Sequence, residues 1–183
     1  MADENKAPAL DFGALIAFVA PGFVGLFAIA YQLPSVDKLV ADASNAEQNV
    51  GVFLFGLLAS LSVGLGVSGL RSLFVDIAFD FLLEKTGDGV KNSKIQWKSF
   101  ELSSLTKLLM LRDNYYRYYQ FYSNMAVAMI LWAVSRKLSA SPDVPQLSGL
   151  QWFLIWIGVV LMLLAAGRQL REYYQAKKVL TEV

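Results

Sequence analysis

Residues 50–70 read VGVFLFGLLASLSVGLGVSGL, a run of twenty-one positions without an Asp, Glu, Lys or Arg. A bilayer's hydrocarbon core, about 30 Å thick, is crossed by about 20 apolar residues in helical form. This run has that length. Gly56, Ser60, Gly64 and Ser68 recur in it every fourth residue, with Ser72 next, and Ser62, Gly66 and Gly69 widen the same small surface. In lipid, small residues let helix backbones approach closely, because dispersion and weak hydrogen bonds replace the hydrophobic drive. Working outward, residues 12–31 and 150–167 are also free of charge. Residues 121–134 are too, but they reach spanning length only if the tyrosine-rich stretch from Tyr115 is their interfacial end. The expected fold is all-α: an integral membrane four-helix transmembrane bundle forming a single domain over 1–183. Its spans are placed at 12–32, 50–71, 115–137 and 150–168, with a cytoplasmic helical hairpin at 72–114 between helices two and three.

Composition narrows the chemistry. Apolar residues make up 56% of the chain and charged ones 17%, a balance that fits a bilayer better than water. A net charge of +1 supplies no global field for nucleic acid. With no cysteine and no histidine, the chain lacks thiolate nucleophiles and the commonest metal ligand, haem ligand and general base. The four apolar cores hold no carboxylate or basic group at depth, which ion-coupled transport normally needs. No glycine-rich phosphate loop or nucleophile elbow is present. A non-enzymatic protein without cofactor or metal is expected.

The basic residues indicate an orientation. With four spans, Lys6, the residues from Arg71 to Arg117 and the tail from Arg168 to Lys178 share one side, 13 Lys and Arg in all, against only Lys38, Arg136 and Lys137 on the other. The positive-inside rule then puts both termini in the cytoplasm of a multi-pass protein of the cell inner membrane. The first ten residues carry Asp3, Glu4 and one Lys6 instead of a basic leader region. The first run is therefore read as a retained span, with a leader cleaved near Ala28–Ala30 as the alternative. Between spans one and two, Pro34-Ser35 followed by Val36, Leu39 and Val40 at helical spacing predicts a short helix at the outer surface. Helix one is expected to bend at Pro21.

Three constellations stand out. The run 111–122, LRDNYYRYYQFY, places Arg112, Arg117, Tyr118 and Tyr119 where helix three enters the inner leaflet. Arg168, Arg171, Tyr173 and Tyr174 leave helix four on the same side. Tyrosines favour the headgroup level, and arginines there meet phosphates, so these eight form either a site for anionic lipid or a partner, or a plain interfacial belt. The second constellation sets Gly56, Ser60, Gly64 and Ser68 against helix one's Gly13, Ala17, Pro21 and Gly25, as a packing seam or a pore wall. Asn124, the one amide well inside a span, is expected to bond across helices. The third is Asp76, Asp80 and Glu84, at i, i+4 and i+8, expected to pair with Arg112, Arg117, Arg168 or Arg171 rather than to hold a metal.

The expected function is a small non-enzymatic inner-membrane subunit that oligomerises or docks a cytoplasmic partner. Its partners are the lipid bilayer, anionic lipids among it, a second copy of itself or a membrane complex, and no nucleic acid. The runner-up is a homo-oligomeric channel or membrane-permeabilising effector. A lipid-modifying enzyme using Asp76, Asp80 or Asp113 is the third reading.

Overall fold

The computed structural model describes residues 12–45, 50–86, 110, 115–139 and 146–181. Every element among them is helical: α1 (Phe12–Ala30), α2 (Pro34–Asn45), α3 (Val50–Arg71), a π-turn (Ser72–Asp76), α4 (Ile77–Thr86), α5 (Arg117–Leu138) and α6 (Gly149–Thr181). The second arm of the expected hairpin, including Arg112, lies outside the described residues apart from Met110. The first arm is α4, which continues α3 through the π-turn without a break.

Local chemistry accounts for the helix starts. Pro34 opens α2 at the position where proline's missing N–H costs nothing and its fixed φ suits the first turn. At α6, Ser148 and Gln151 form a reciprocal box. The Gln151 N–H donates to Ser148 Oγ at 3.3 Å, and the Ser148 N–H donates to Gln151 Oε1 at 2.9 Å. Two free donors of the first turn are thereby satisfied.

Helix α1 is central. It packs along both α3 and α5, while α6 lies against the other side of α5. Pro21 sits inside α1 as part of one continuous helix. Helix α6 runs on past Gly167, where a span ending at 168 was expected, and extends to Thr181. It does so because Gly167 serves as a contact and not as a stop: a Cβ there would lie 2.9 Å from Phe79 Cε1 of α4.

Two helical stretches are long and apolar enough to cross a membrane, Val50–Leu82 with 33 residues and Gly149–Ala176 with 28. Within α1, Ile16–Ala30 is a shorter apolar helix. Helix α5 is of spanning length, but Gln120, Ser123, Asn124, Ser135, Arg136 and Lys137 dilute its apolar character. Of the four expected spans, two meet the criterion of length and composition.

Candidate functional site

Arg71 is the last residue of α3 and is only 4% exposed. Asp76 follows five residues later, a spacing that in an α-helix sets two side chains about 140° apart. The π-turn closes i to i+5 and carries the fifth residue back over the first. Arg71 Nη2 therefore lies 3.4 Å from Asp76 Oδ2. Asp76 Oδ1 accepts a short hydrogen bond from the Tyr119 hydroxyl, and the guanidinium sits over the Tyr119 ring, 5.2 Å from its centroid. One π-turn thus joins a cation, an anion and a phenol from two helices.

The surroundings hold this trio in place. Tyr119 is buried with Ala166 and Leu170 of α6, and Phe79, Tyr116, Tyr122 and Tyr174 pack around that nucleus. The rings of Phe79 and Tyr119 meet edge-on at 6.1 Å, and Tyr116 bridges Tyr119 at 5.7 Å and Tyr173 at 5.5 Å. One turn beyond Asp76, Asp80 Oδ1 accepts from the Tyr174 hydroxyl at 3.3 Å. Aromatic pairs of this geometry each add about 0.5–1.5 kcal/mol beyond the area they bury, so α4, α5 and α6 are bound together at this end.

The expected girdle divides in two. Tyr119 turns fully inward, and Tyr173 and Tyr174 are half-buried in the ring cluster. Tyr118, Arg168 and Arg171 face outward. The Arg168 side chain is 79% exposed and pairs with Glu172 at 2.9 Å, one turn away on its own helix. Arg117 is half-exposed at the start of α5. Asp76 pairs with Arg71, which sequence reasoning had treated only as a charge at the end of span two. Among the described residues, no group of three or more acidic side chains is placed to hold a metal ion.

The small-residue seam forms between α1 and α3. A Cβ on Gly22 would overlap the Ser60 carbonyl, and one on Gly64 would overlap the Phe18 carbonyl. Gly25 lies against Val63, with 2.6 Å left between an added Cβ and Val63 Cγ1. Ser60 Oγ donates to the Val19 carbonyl at 2.6 Å. Gly56 is buried but has no neighbour where its Cβ would be, and Ser68 is half-buried. Gly22, absent from the every-fourth-residue pattern, makes the closest approach; it sits next to Pro21 on the same turn. Asn124 reaches across from α5, its Nδ2 donating to the Ala17 carbonyl at 3.1 Å.

At the opposite end, Arg136 stacks over Tyr31 and Trp132 at 5.7 and 5.4 Å and donates to the Tyr31 hydroxyl at 3.0 Å. Gln32 Nε2 donates to the Ser135 carbonyl at 2.9 Å. These bonds tie the end of α1 to the end of α5.

The chain matches no protein-family model, no curated protein and no solved structure.

Proposed function

We propose that the chain is a four-span integral membrane protein with cytoplasmic termini, acting as a non-enzymatic subunit that assembles with itself or docks a cytoplasmic partner. The observation that carries this reading is which side chains face outward. Only 17% of the most apolar part of Val50–Leu82, and 11% of that of Gly149–Ala176, is buried inside the protein. Phe53, Leu58 and Phe74 on one stretch, and Leu150, Phe153 and Leu164 on the other, are each more than 60% exposed. A core helix of a water-soluble protein hides such residues, and an exposed apolar surface of this extent calls for lipid or a partner. The polar side chains of α5 are consistent with a span, because Ser123 and Asn124 are buried against neighbouring helices instead of facing outward.

A subunit role is favoured over a pore by the use made of the small-residue seam. Ser60 spends its hydroxyl on Val19, and Gly64 is covered by Phe18, so these groups hold two helices together within one copy and do not face a lumen. Purification in mild detergent followed by mass measurement and single-channel recording tests the proposal. An oligomer or a stoichiometric co-purifying protein without conductance is the expected result. A conducting ring would overturn it.

A further inference from the structure

Four polar side chains are buried among the described residues: Ser60, Arg71, Ser123 and Asn124. The two serines place their hydroxyls on the Val19 and Tyr119 carbonyls, and Asn124 donates to Ala17. Arg71 is different. Its Nε and Nη1 are buried and have no hydrogen-bond partner. A guanidinium stays protonated at any ordinary pH, so these donors cannot be removed by loss of a proton. A buried charge with unfilled donors is strongly unfavourable.

Asp76 answers the charge only in part. One of its oxygens stands 3.4 Å from Nη2, whereas charge-assisted N–H···O bonds run about 2.7–2.9 Å. Its other oxygen is committed to the Tyr119 hydroxyl. The Tyr119 ring covers the guanidinium face but offers no lone pair to donors lying in the guanidinium plane.

We propose that Arg71 is the centre of a binding site for a phosphate-type oxyanion, whose oxygens take the Nε and Nη1 donors as it displaces Asp76 from the guanidinium. The guanidinium fork suits such an ion, since several oxygens can be met at once. Asp76 lies on the accessible side, with its side chain 27% exposed, above a π-turn whose Ser72, Leu73 and Phe74 face outward. The same end of the bundle carries Arg117, Arg168 and Arg171, and its acidic groups Asp80 and Glu172 are engaged by Tyr174 and Arg168. The field there has the sign that attracts an anion. The phosphate can come from a lipid headgroup, a source that rests on the membrane reading above, or from free phosphate, which does not.

The test uses the full chain in mild detergent. Inorganic phosphate is titrated against chloride at matched ionic strength while the thermal unfolding midpoint is followed. The wild type is expected to show a saturable rise. Asp76→Asn removes the resident carboxylate, and it should start lower, recover in phosphate and bind it at least about tenfold more tightly, the worth of one charged hydrogen bond. Arg71→Gln should lose the rise, and Arg71→Lys, which keeps the charge without the fork, should show a weaker one. In parallel, native mass spectrometry compares retention of phosphatidylglycerol with that of diacylglycerol. Phospholipid retained and then displaced by phosphate identifies the headgroup as ligand, and a phosphate response without phospholipid retention identifies free phosphate. A wild-type midpoint indifferent to phosphate, with no preference for phospholipid, overturns the site whether or not the variants fold. Should the chain prove soluble without detergent, the membrane reading fails while the phosphate titration still decides this one.

Discussion

Asn124 supplies the hydrogen bond that Pro21 takes away from Ala17. In an unbroken α-helix the Ala17 carbonyl accepts from the N–H four residues on, and at that position proline has none. The Asn124 side chain fills the vacancy from α5 at 3.1 Å. Interhelical hydrogen bonds in membranes average about 0.6 kcal/mol and reach about 1.7 kcal/mol. The cost of Asn124→Ala should therefore shrink when Pro21→Ala restores the backbone donor. A double-mutant cycle on unfolding in detergent measures this coupling, and a coupling near zero would show that the bond and the proline are independent.

The α1–α3 seam predicts a sharp positional contrast. Gly22→Ala and Gly64→Ala press a methyl group into backbone that cannot yield, at a cost of about 1–3 kcal/mol. Gly66→Ala and Gly69→Ala meet open space and should leave stability almost unchanged. Larger groups sharpen the comparison: Gly64→Leu and Ser60→Leu should disrupt assembly far more than Leu57→Ile. Equal unfolding midpoints across these sets would remove close packing from the account.

Tyr119→Phe deletes a single oxygen. Asp76 loses the hydroxyl that shares its charge, at about 1–3 kcal/mol for a partly buried acceptor left unpaired, while the ring contacts with Phe79 and Tyr116 survive. Tyr118→Phe, two-thirds of a turn away and facing outward, should cost almost nothing. Thermal unfolding of the two variants side by side separates a hydrogen-bond role from a general tyrosine effect.

The orientation is tested by labelling. Cysteines introduced at Ser93 and Ser141 should react from opposite faces of the membrane, because the basic residues divide 13 to 3 between the two sides. Reaction of both with an impermeant reagent added outside intact cells would defeat the four-span arrangement.

The exposed arginines give a graded prediction. Replacing Arg117, Arg168 and Arg171 with glutamine should weaken retention of anionic lipid by about 1 kcal/mol per charge, read by native mass spectrometry in mixed lipids. Lysine replacements should retain the electrostatic share. Unchanged lipid retention in the glutamine set would reduce these residues to anchors.

The helices were legible because a run of twenty uncharged residues has few other uses and because proline and serine mark where turns begin. The cross-bond of Asn124 was also legible, since an amide in an apolar span needs a partner; that its partner would be the carbonyl freed by Pro21 follows only from the packing of α1 on α5. The inner face of the tyrosine run was hidden. Positions 115, 116, 118, 119 and 122 surround the helix, and no periodicity tells which ring turns inward. The bond between Arg71 and Asp76 was hidden for another reason: a spacing of five belongs to no α-helical face, and nothing in SLFVD announces a π-turn. The every-fourth-residue pattern on α1 likewise passed over Gly22, because which side of Pro21 meets α3 depends on how the two helices cross.

The π-turn also makes this part of the molecule sensitive to the number of residues it contains, apart from their identity. It holds one more residue than an α-helical turn would. Removing any one of residues 72–76 would let the helix close in ordinary register and swing everything after it by about 100°. Phe79 would leave Gly167, Asp80 would leave Tyr174, and the overhanging arm would point its carboxylates elsewhere, although no side chain in α4 had changed. A single-codon deletion, harmless in most surface loops, would act here like twisting a key in a lock.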